Sequence, residues 1–276
     1  MKLESLELTK LSHYRGNNAR QTFTIKETEI GDATFSVIAG PCTVRDENEL
    51  LTTAKELKNM GFHFFRGGIY KMRTSPFEFQ GLGDKGLEII KKTAEETGLI
   101  SVTEVISSED VKILSEYADI LQVGTRNMHN YRLLSELGKV KNPVILKRGM
   151  SSTIKEWLFA AEHIIQAGNS KVILCERGIR TFEPETRNTL DISAIPLVRN
   201  YSVLPILVDP SHSSGRRNLV KPLCWAAMAA GADGILLEAQ IKPDNAICDA
   251  QQTIDLEMLR EIVKPLPQFR NLWNKG

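Results

Sequence analysis

The chain has 276 residues, 42% of them hydrophobic and 25% charged, with a formal net charge of +1. Those values fit one ordinary globular domain, because α/β folds and barrels run to about 250 residues as single units. They exclude a polycation that binds nucleic acid by bulk charge, and no stretch approaches the roughly 20 apolar residues of a membrane-spanning helix.

Polar sequence follows Met1-Lys2-Leu3-Glu4, without the apolar run of a secretory leader, and the four cysteines lack paired spacing. A cytoplasmic protein with neither a disulfide framework nor a structural zinc knuckle is therefore expected.

Residues 1–34 read as an N-terminal arm and residues 35–276 as the main domain. In the arm, 21–26 alternates in period two, Gly31-Asp32 offers a turn, and 34–38 follows as a second extended run. A short hairpin arm that caps one end of the main domain is the expected result. It is too short to hold a core of its own.

From residue 35, apolar runs alternate with amphipathic helices. The runs are 35–39, 63–66, 100–105, 120–123, 143–147, 171–175, 204–208 and 234–238. Between them, Leu51, Ala54 and Leu57 share one helical face, and Leu87, Ile90 and Ala94 share another. Thr153-Ile154-Lys155-Glu156 reads as a capping box before an apolar helix. Gly61, Gly98, Gly168 and Gly231 stand where left-handed helix ends belong. Strand–helix alternation predicts a parallel sheet with right-handed crossovers, and eight such units predict a (β/α)8 TIM barrel. The rival, an open doubly wound sheet, calls for a glycine-rich phosphate turn after its first strand. Gly40-Pro41-Cys42 stands there instead.

Function is read from what ends each run. In order, the ends are Cys42, Arg66 with Lys71 and Arg73 beyond it, Glu104, Arg126, Lys147, Arg177, Asp209 with His212, and Glu238. In a barrel these ends share one rim, which is where such folds place their chemistry. Arg66, Lys71, Arg73, Arg126, Lys147 and Arg177 form a cationic set suited to phosphorylated substrates, because arginine forks match phosphate and carboxylate oxygens. Cys42, His212, Glu238 and Asp249 combine a thiol, an imidazole and two carboxylates, a donor set for one divalent metal ion such as Mn, Fe, Co or Zn. Each of the four also has a structural reading: Cys42 as a small core residue, Asp249 as a loop cap. Cys175 and Cys224 are assigned to packing, Cys248 neighbours Asp249 but points elsewhere if its loop is extended, and the remaining histidines show no partner pattern.

Several motifs, taken together, resemble the 3-deoxy-7-phosphoheptulonate (DAHP) synthases. They are Ile38-Ala39-Gly40-Pro41-Cys42, Arg66-Gly67-Gly68, Lys71-x-Arg73-Thr74-Ser75-Pro76, Phe79-Gln80-Gly81-Leu82-Gly83, Leu146-Lys147-Arg148-Gly149-Met150, Cys175-Glu176-Arg177-Gly178-Ile179-Arg180-Thr181 and Asp209-Pro210-Ser211-His212. The likeness runs from about 36 to 262 and is strongest to the short branch without an added regulatory domain. It implies condensation of phosphoenolpyruvate with erythrose 4-phosphate, with release of phosphate, as the first step of the shikimate pathway.

Carried over by position, the resemblance makes Cys42, His212, Glu238 and Asp249 the metal ligands. It assigns Arg126, Lys147 and Arg177 to phosphoenolpyruvate, with Arg66 nearby, and Arg73 and Thr74 to the acceptor phosphate. Lys71 then lies between the substrates as a catalytic residue, and Asp209 lies near the acceptor hydroxyls. A homo-oligomer, dimer or tetramer, goes with the resemblance; a nucleic-acid or membrane partner does not.

Two departures stand out. Met72 replaces the proline of the family's Lys-Pro-Arg-Thr, which keeps the spacing but removes a rigid ring beside the acceptor pocket. A flexible thioether there leaves room for a different aldose phosphate, such as arabinose 5-phosphate. Glu238-Ala239-Gln240 also stands where Glu-Val-His is commoner. A metal-dependent sugar-phosphate aldolase and a non-catalytic binding protein remain the alternatives from other classes.

Overall fold

The computed structural model describes residues 9–13, 19–31 and 34–273. The first regular element is an antiparallel hairpin of β1 (Thr22–Ile25) and β2 (Thr28–Gly31). Its turn is at Lys26 and Glu27; the Gly31 carbonyl accepts Thr34 N at 3.1 Å, a turn that leads out of the hairpin, and Asp32 lies outside the described residues. Lys26 takes a left-handed φ of 50°, and its Nζ donates to the Leu99 carbonyl at 3.3 Å and to the Asp119 carboxylate at 3.0 Å.

The main body follows in chain order: β3 (Ser36–Gly40), α1 (Glu47–Asn59), β4 (Phe64–Arg66), α2 (Asp84–Thr97), β5 (Ile100–Val105), α3 (Val111–Tyr117) and β6 (Ile120–Val123). Then come α4 (Tyr131–Leu137), β7 (Val144–Lys147), α5 (Ile154–Gln166), β8 (Val172–Glu176), α6 (Ala194–Tyr201) and β9 (Ile206–Val208). The remainder is α7 (Pro210–Ser214), α8 (Arg217–Ala229), β10 (Gly234–Glu238), α9 (Leu256–Val263) and α10 (Leu266–Trp273). Strands β3 to β10 pair in parallel and in sequence order, and β10 returns to β3 with Gly234 opposite Ser36 and Glu238 opposite Gly40. The sheet is therefore a closed (β/α)8 barrel.

Side-chain alternation along the strands divides the apolar residues between two cores. Ile38, Phe64, Ile100, Val102, Ile120, Ile145, Ile173, Leu207 and Leu236 point inward and meet inside the barrel. Their neighbours Val37, Phe65, Leu121, Leu146, Leu174 and Ile235 face the helices. The hairpin seals the lower end of the inner core with Ile30, and Phe23 and Ile25 pack against the same group. The run at 204–208 contributes only the three residues of β9, since Pro205 has no N–H to donate to a ladder.

The helices largely follow their stripes. Leu87, Ile90 and Ala94 are buried as expected, whereas α1 buries Leu50, Ala54 and Leu57 and leaves Leu51 half-buried. Thr153 and Glu156 form the capping box, with Glu156 N donating to Thr153 Oγ1 at 3.2 Å and Thr153 N to the Glu156 carboxylate at 2.7 Å. Directly after it, Trp157 is fully buried and its indole donates to the Leu146 carbonyl at 3.1 Å. Truncating such a side chain costs about 3–5 kcal/mol, so this contact fixes α5 against β7 just before Lys147. Among the described residues no helix is long and apolar enough to cross a membrane.

Candidate active site

The Asp209-Pro210-Ser211-His212 stretch is a helix start. Asp209 is the N-cap of α7, its Oδ1 accepts His212 N at 2.9 Å, and Pro210 occupies the first turn. That single turn swings the imidazole back over its own cap, so His212 Nδ1 lies 2.7 Å from Asp209 Oδ2. The same oxygen accepts Lys147 Nζ at 2.6 Å. Burial by itself would raise the Asp209 pKa, but the charges of His212 and Lys147 hold the carboxyl well below the usual range. Asp209 is 0% exposed. Its two oxygens are engaged with His212 and Lys147, which it holds in place from behind.

With Nδ1 directed at Asp209, Nε2 faces a cluster of donors, the usual arrangement of a carboxylate-oriented metal-binding histidine. Nε2 lies 2.9 Å from Glu238 Oε1 and 4.0 Å from Asp249 Oδ2. The short approach to Glu238 is out of line for a hydrogen bond, and Oε1 is buried without a hydrogen-bonding partner. The other oxygen, Oε2, accepts Gln252 Nε2 at 2.6 Å. Burial favours a protonated Glu238, yet the charges of His212, Arg66 and Lys71 outweigh it and hold the group below the ordinary carboxylate range.

Cys42 reaches the cluster because Gly40, at a φ of 150°, lets the end of β3 pass against β4. A Cβ at Gly40 would lie 2.1 Å from the Arg66 carbonyl oxygen. The Cys42 thiol is 3.4 Å from Asp249 Oδ2. Asp249 holds a left-handed φ of 57°, unusual for a residue with a side chain; its carbonyl is pinned by Gln252 N at 3.1 Å and Thr253 N at 3.2 Å.

The donor atoms of Cys42, His212, Glu238 and Asp249 all lie within 4.8 Å of one another. A buried carboxylate oxygen without a partner, an imidazole nitrogen and a thiol converging on one point fit a divalent ion of borderline softness. Burial and the Glu238 charge push the Cys42 thiol up, with Lys71 and Arg66 pulling the other way; a bound cation favours the thiolate.

The cluster opens into a cleft of about 230 Å³ whose lining includes Lys71, Arg73, Thr74, Arg126, Lys147 and Arg177. Lys71 Nζ sits 2.5 Å from Cys42 Sγ and 3.6 Å from Asp249 Oδ2. Burial would lower its pKa, but Cys42, Glu238 and Glu104 raise it and keep the ammonium charged. Arg177 donates to the His212 carbonyl through Nη2 at 3.0 Å, while its Nη1 is buried without a partner. Arg66 also has an unpartnered buried Nη1, 3.9 Å from Glu238 Oε1, and lies beside the cluster rather than on the cleft wall. Arg126 Nη1 donates to the Met72 carbonyl at 2.7 Å. Five of the six cations thus line one mouth, with Arg66 set back beside the donor cluster, and several arrive with internal partners.

Three residues in this region escape a reading by motif, and a fourth, Glu104, is marked in the sequence only as the end of its run. Glu104 continues the inward alternation of Ile100 and Val102, which is a usable signal, and Gly124 makes room for it: a Cβ there would lie 2.1 Å from Glu104 Oε1. Gln252 braces Glu238, Arg187 Nη1 donates to Asp249 Oδ1 at 3.2 Å, and Glu78 holds Arg73. These three sit in irregular segments where periodicity carries no information. Cys175 and Cys224 are buried in β8 and α8, and Cys248 meets Thr43 Oγ1 at 3.6 Å.

The family model described as the DAHP synthetase I family matches residues 18–273. The chain belongs to that family. It is 52% identical over 243 residues to the phospho-2-dehydro-3-deoxyheptonate aldolase of Thermotoga maritima, covering 88% of this chain and 72% of that one. It is 30% identical over 262 residues to the 2-dehydro-3-deoxyphosphooctonate aldolase of Geobacter sulfurreducens, covering 88% and 95%. The crystal structure of the Thermotoga maritima DAHP synthase matches it with a TM-score of 0.92 and 48% identity, over 96% of this chain and 78% of that one. A truncated form of 3-deoxy-D-arabino-heptulosonate 7-phosphate synthase from the same organism matches with a TM-score of 0.88 and 45% identity, over 95% and 97%.

Proposed function

We propose that this chain condenses phosphoenolpyruvate with erythrose 4-phosphate, giving 3-deoxy-D-arabino-heptulosonate 7-phosphate and inorganic phosphate, the first step of the shikimate pathway. The observation that carries the reading is the meeting, in one cleft, of the four-donor cluster with Lys147 and Arg177 beside it. Membership of the DAHP synthetase I family supports the same chemistry.

In this reading the donor's phosphate and carboxylate are held by Arg126, Lys147 and Arg177, with Arg66 alongside. The unpartnered N–H groups of Arg66 and Arg177 are satisfied by those anions. Arg73 and Thr74 take the acceptor phosphate, so cations at both ends set two mutually repelling anions in one orientation. Cys42, His212, Glu238 and Asp249 would hold a divalent ion, which would supply Lewis acidity toward the acceptor's aldehyde. Carbon 3 of phosphoenolpyruvate bonds to the aldehyde carbon, and Lys71 delivers the proton that the aldehyde oxygen takes up. Water adds at carbon 2, the bond from carbon 2 to the phosphate oxygen breaks, and phosphate leaves a ketone behind. Residues 35–276 carry this chemistry, and the hairpin of β1 and β2 serves the far end of the barrel.

The test is to incubate the protein with phosphoenolpyruvate and a panel of aldose phosphates, following phosphate release and product mass. Release is expected with erythrose 4-phosphate, abolished by chelator and restored by a divalent ion. Full activity in metal-free protein removes the metal from the mechanism. Carbon–carbon bond cleavage of a sugar phosphate without phosphoenolpyruvate favours a simple aldolase. A second acceptor, arabinose 5-phosphate, keeps its place in the panel because Met72 lines the cleft where the family has proline.

A further inference from the structure

Arg73, the cation proposed for the acceptor phosphate, already holds an anion. Its Nε donates to Glu78 Oε2 at 2.8 Å, and its Nη2 lies 2.7 Å from Glu78 Oε1. That is the two-pronged geometry in which arginine takes carboxylate or phosphate alike. Glu78 belongs to the loop between β4 and α2 and lines the same cleft. Its backbone is pinned: Gln80 Nε2 donates to the Glu78 carbonyl at 2.8 Å and to the Ser75 carbonyl at 3.2 Å. The carboxylate is thereby presented to Arg73 while its own side chain stays 48% exposed.

We infer that Glu78 is a built-in competitor for the acceptor phosphate and sets acceptor affinity at the Arg73 end of the cleft. The inference rests on the proposed acceptor site and adds to it a residue that works against binding. The Glu78 side of the pair is open to water, and a phosphate dianion brings more charge to Arg73 than a carboxylate does, so it displaces Glu78. The displaced carboxylate remains tethered nearby and repels the incoming phosphate. Both effects raise the acceptor's KM and leave phosphoenolpyruvate, held by other cations, untouched. Strong phosphate acceptors are admitted and weak anions are turned away.

The experiment compares wild type with Glu78→Gln and Glu78→Ser. KM for erythrose 4-phosphate is expected to fall about threefold in both variants, the scale of an exposed ion pair, with KM for phosphoenolpyruvate unmoved. Glycerol 3-phosphate, a phosphate monoester without an aldehyde, provides a probe that needs no turnover: its Kd, by calorimetry, is expected to fall by the same factor. In an Arg73→Ala background the Glu78 substitutions are expected to have a clearly smaller effect on that Kd, because only the direct repulsion is left to remove. An unchanged or raised acceptor KM, an equal shift for both substrates, or a full effect surviving in Arg73→Ala overturns the inference. Absence of condensation with every aldose phosphate overturns the functional reading instead, and the glycerol 3-phosphate comparison still decides the role of Glu78.

Discussion

The two ends of the barrel are made from the same eight strands and are opposite in character. At the lower end Ile30 of the hairpin joins Ile38, Phe64, Ile100 and Ile120 in one apolar cluster, and the charges around it are paired, Lys26 with Asp119 and Arg20 with Asp233, each at 3.0 Å. At the upper end the strands run out into Arg66, Lys147, Glu176 and Glu238, and Asp209 follows β9; all five are buried. Burying charge costs free energy unless each group finds a partner. The upper end accepts that cost and leaves Glu238 Oε1, Arg66 Nη1 and Arg177 Nη1 without hydrogen bonds. Charges are paired at the lower end, while unpartnered charged atoms gather at the upper one, which is the end suited to a ligand.

Changes at the two ends should therefore separate activity from stability. The largest effect is expected for Cys42→Ser, which keeps the volume but exchanges a thiol for an alcohol that ionises poorly. Bound metal and phosphate release should fall together by about a hundredfold or more, beyond the range seen for residues that merely brace a ligand. Stability should change by only about 1 kcal/mol. If metal content and turnover of the folded variant both match wild type, Cys42 is a core residue and the comparison loses its upper half.

Ile30→Ala addresses the lower end. Ile30 is 1% exposed, and removing it opens a cavity expected to cost about 2–5 kcal/mol in denaturant unfolding. Turnover per folded molecule should hold. A large drop in kcat without loss of stability would mean that the hairpin communicates with the rim.

A smaller loss is expected for Gln252→Met, which removes the amide that donates to Glu238 Oε2 at 2.6 Å. Metal affinity measured by competition with a chelator should weaken about 10- to 100-fold, the range for residues that orient a ligand. No change would make Gln252 a packing residue.

The smallest effect is assigned to Met72→Pro. Asn127 Nδ2 approaches the Met72 sulfur at 3.5 Å, and the ring would replace that contact with a rigid φ. The rate ratio of erythrose 4-phosphate to arabinose 5-phosphate should rise about tenfold, equivalent to about 1.4 kcal/mol of differential transition-state stabilisation. An unaltered ratio would show Met72 to be neutral.

Much of this molecule was legible in the linear chain. Apolar runs separated by amphipathic helices specify a parallel barrel, because strands covered on both faces must be apolar throughout and only helices fill the crossovers. Asp209-Pro210 even carries the N-cap and first-turn proline of α7, a signal that would have placed His212 over Asp209 had it been read as a helix start. Glu104 was equally within reach of strand alternation. The hairpin turn was not, since Lys26 is held by Leu99 and Asp119, residues far along the chain.

What the sequence determined by itself was therefore the repeating architecture and the set of chemical groups at the strand ends, both of which follow from local periodicity. Only the closed tertiary structure decided how those groups pair. Closure brings β10 against β3, which puts Glu238 and Cys42 in one cluster. It also sets Asp209 behind His212 and Lys147 rather than facing the cleft, gives Asp249 its left-handed backbone, and hands Arg73 to Glu78. The reason is physical: a charge taken out of water adopts whichever partner the fold brings within about 3 Å, and which partner that is depends on distances that no local pattern contains.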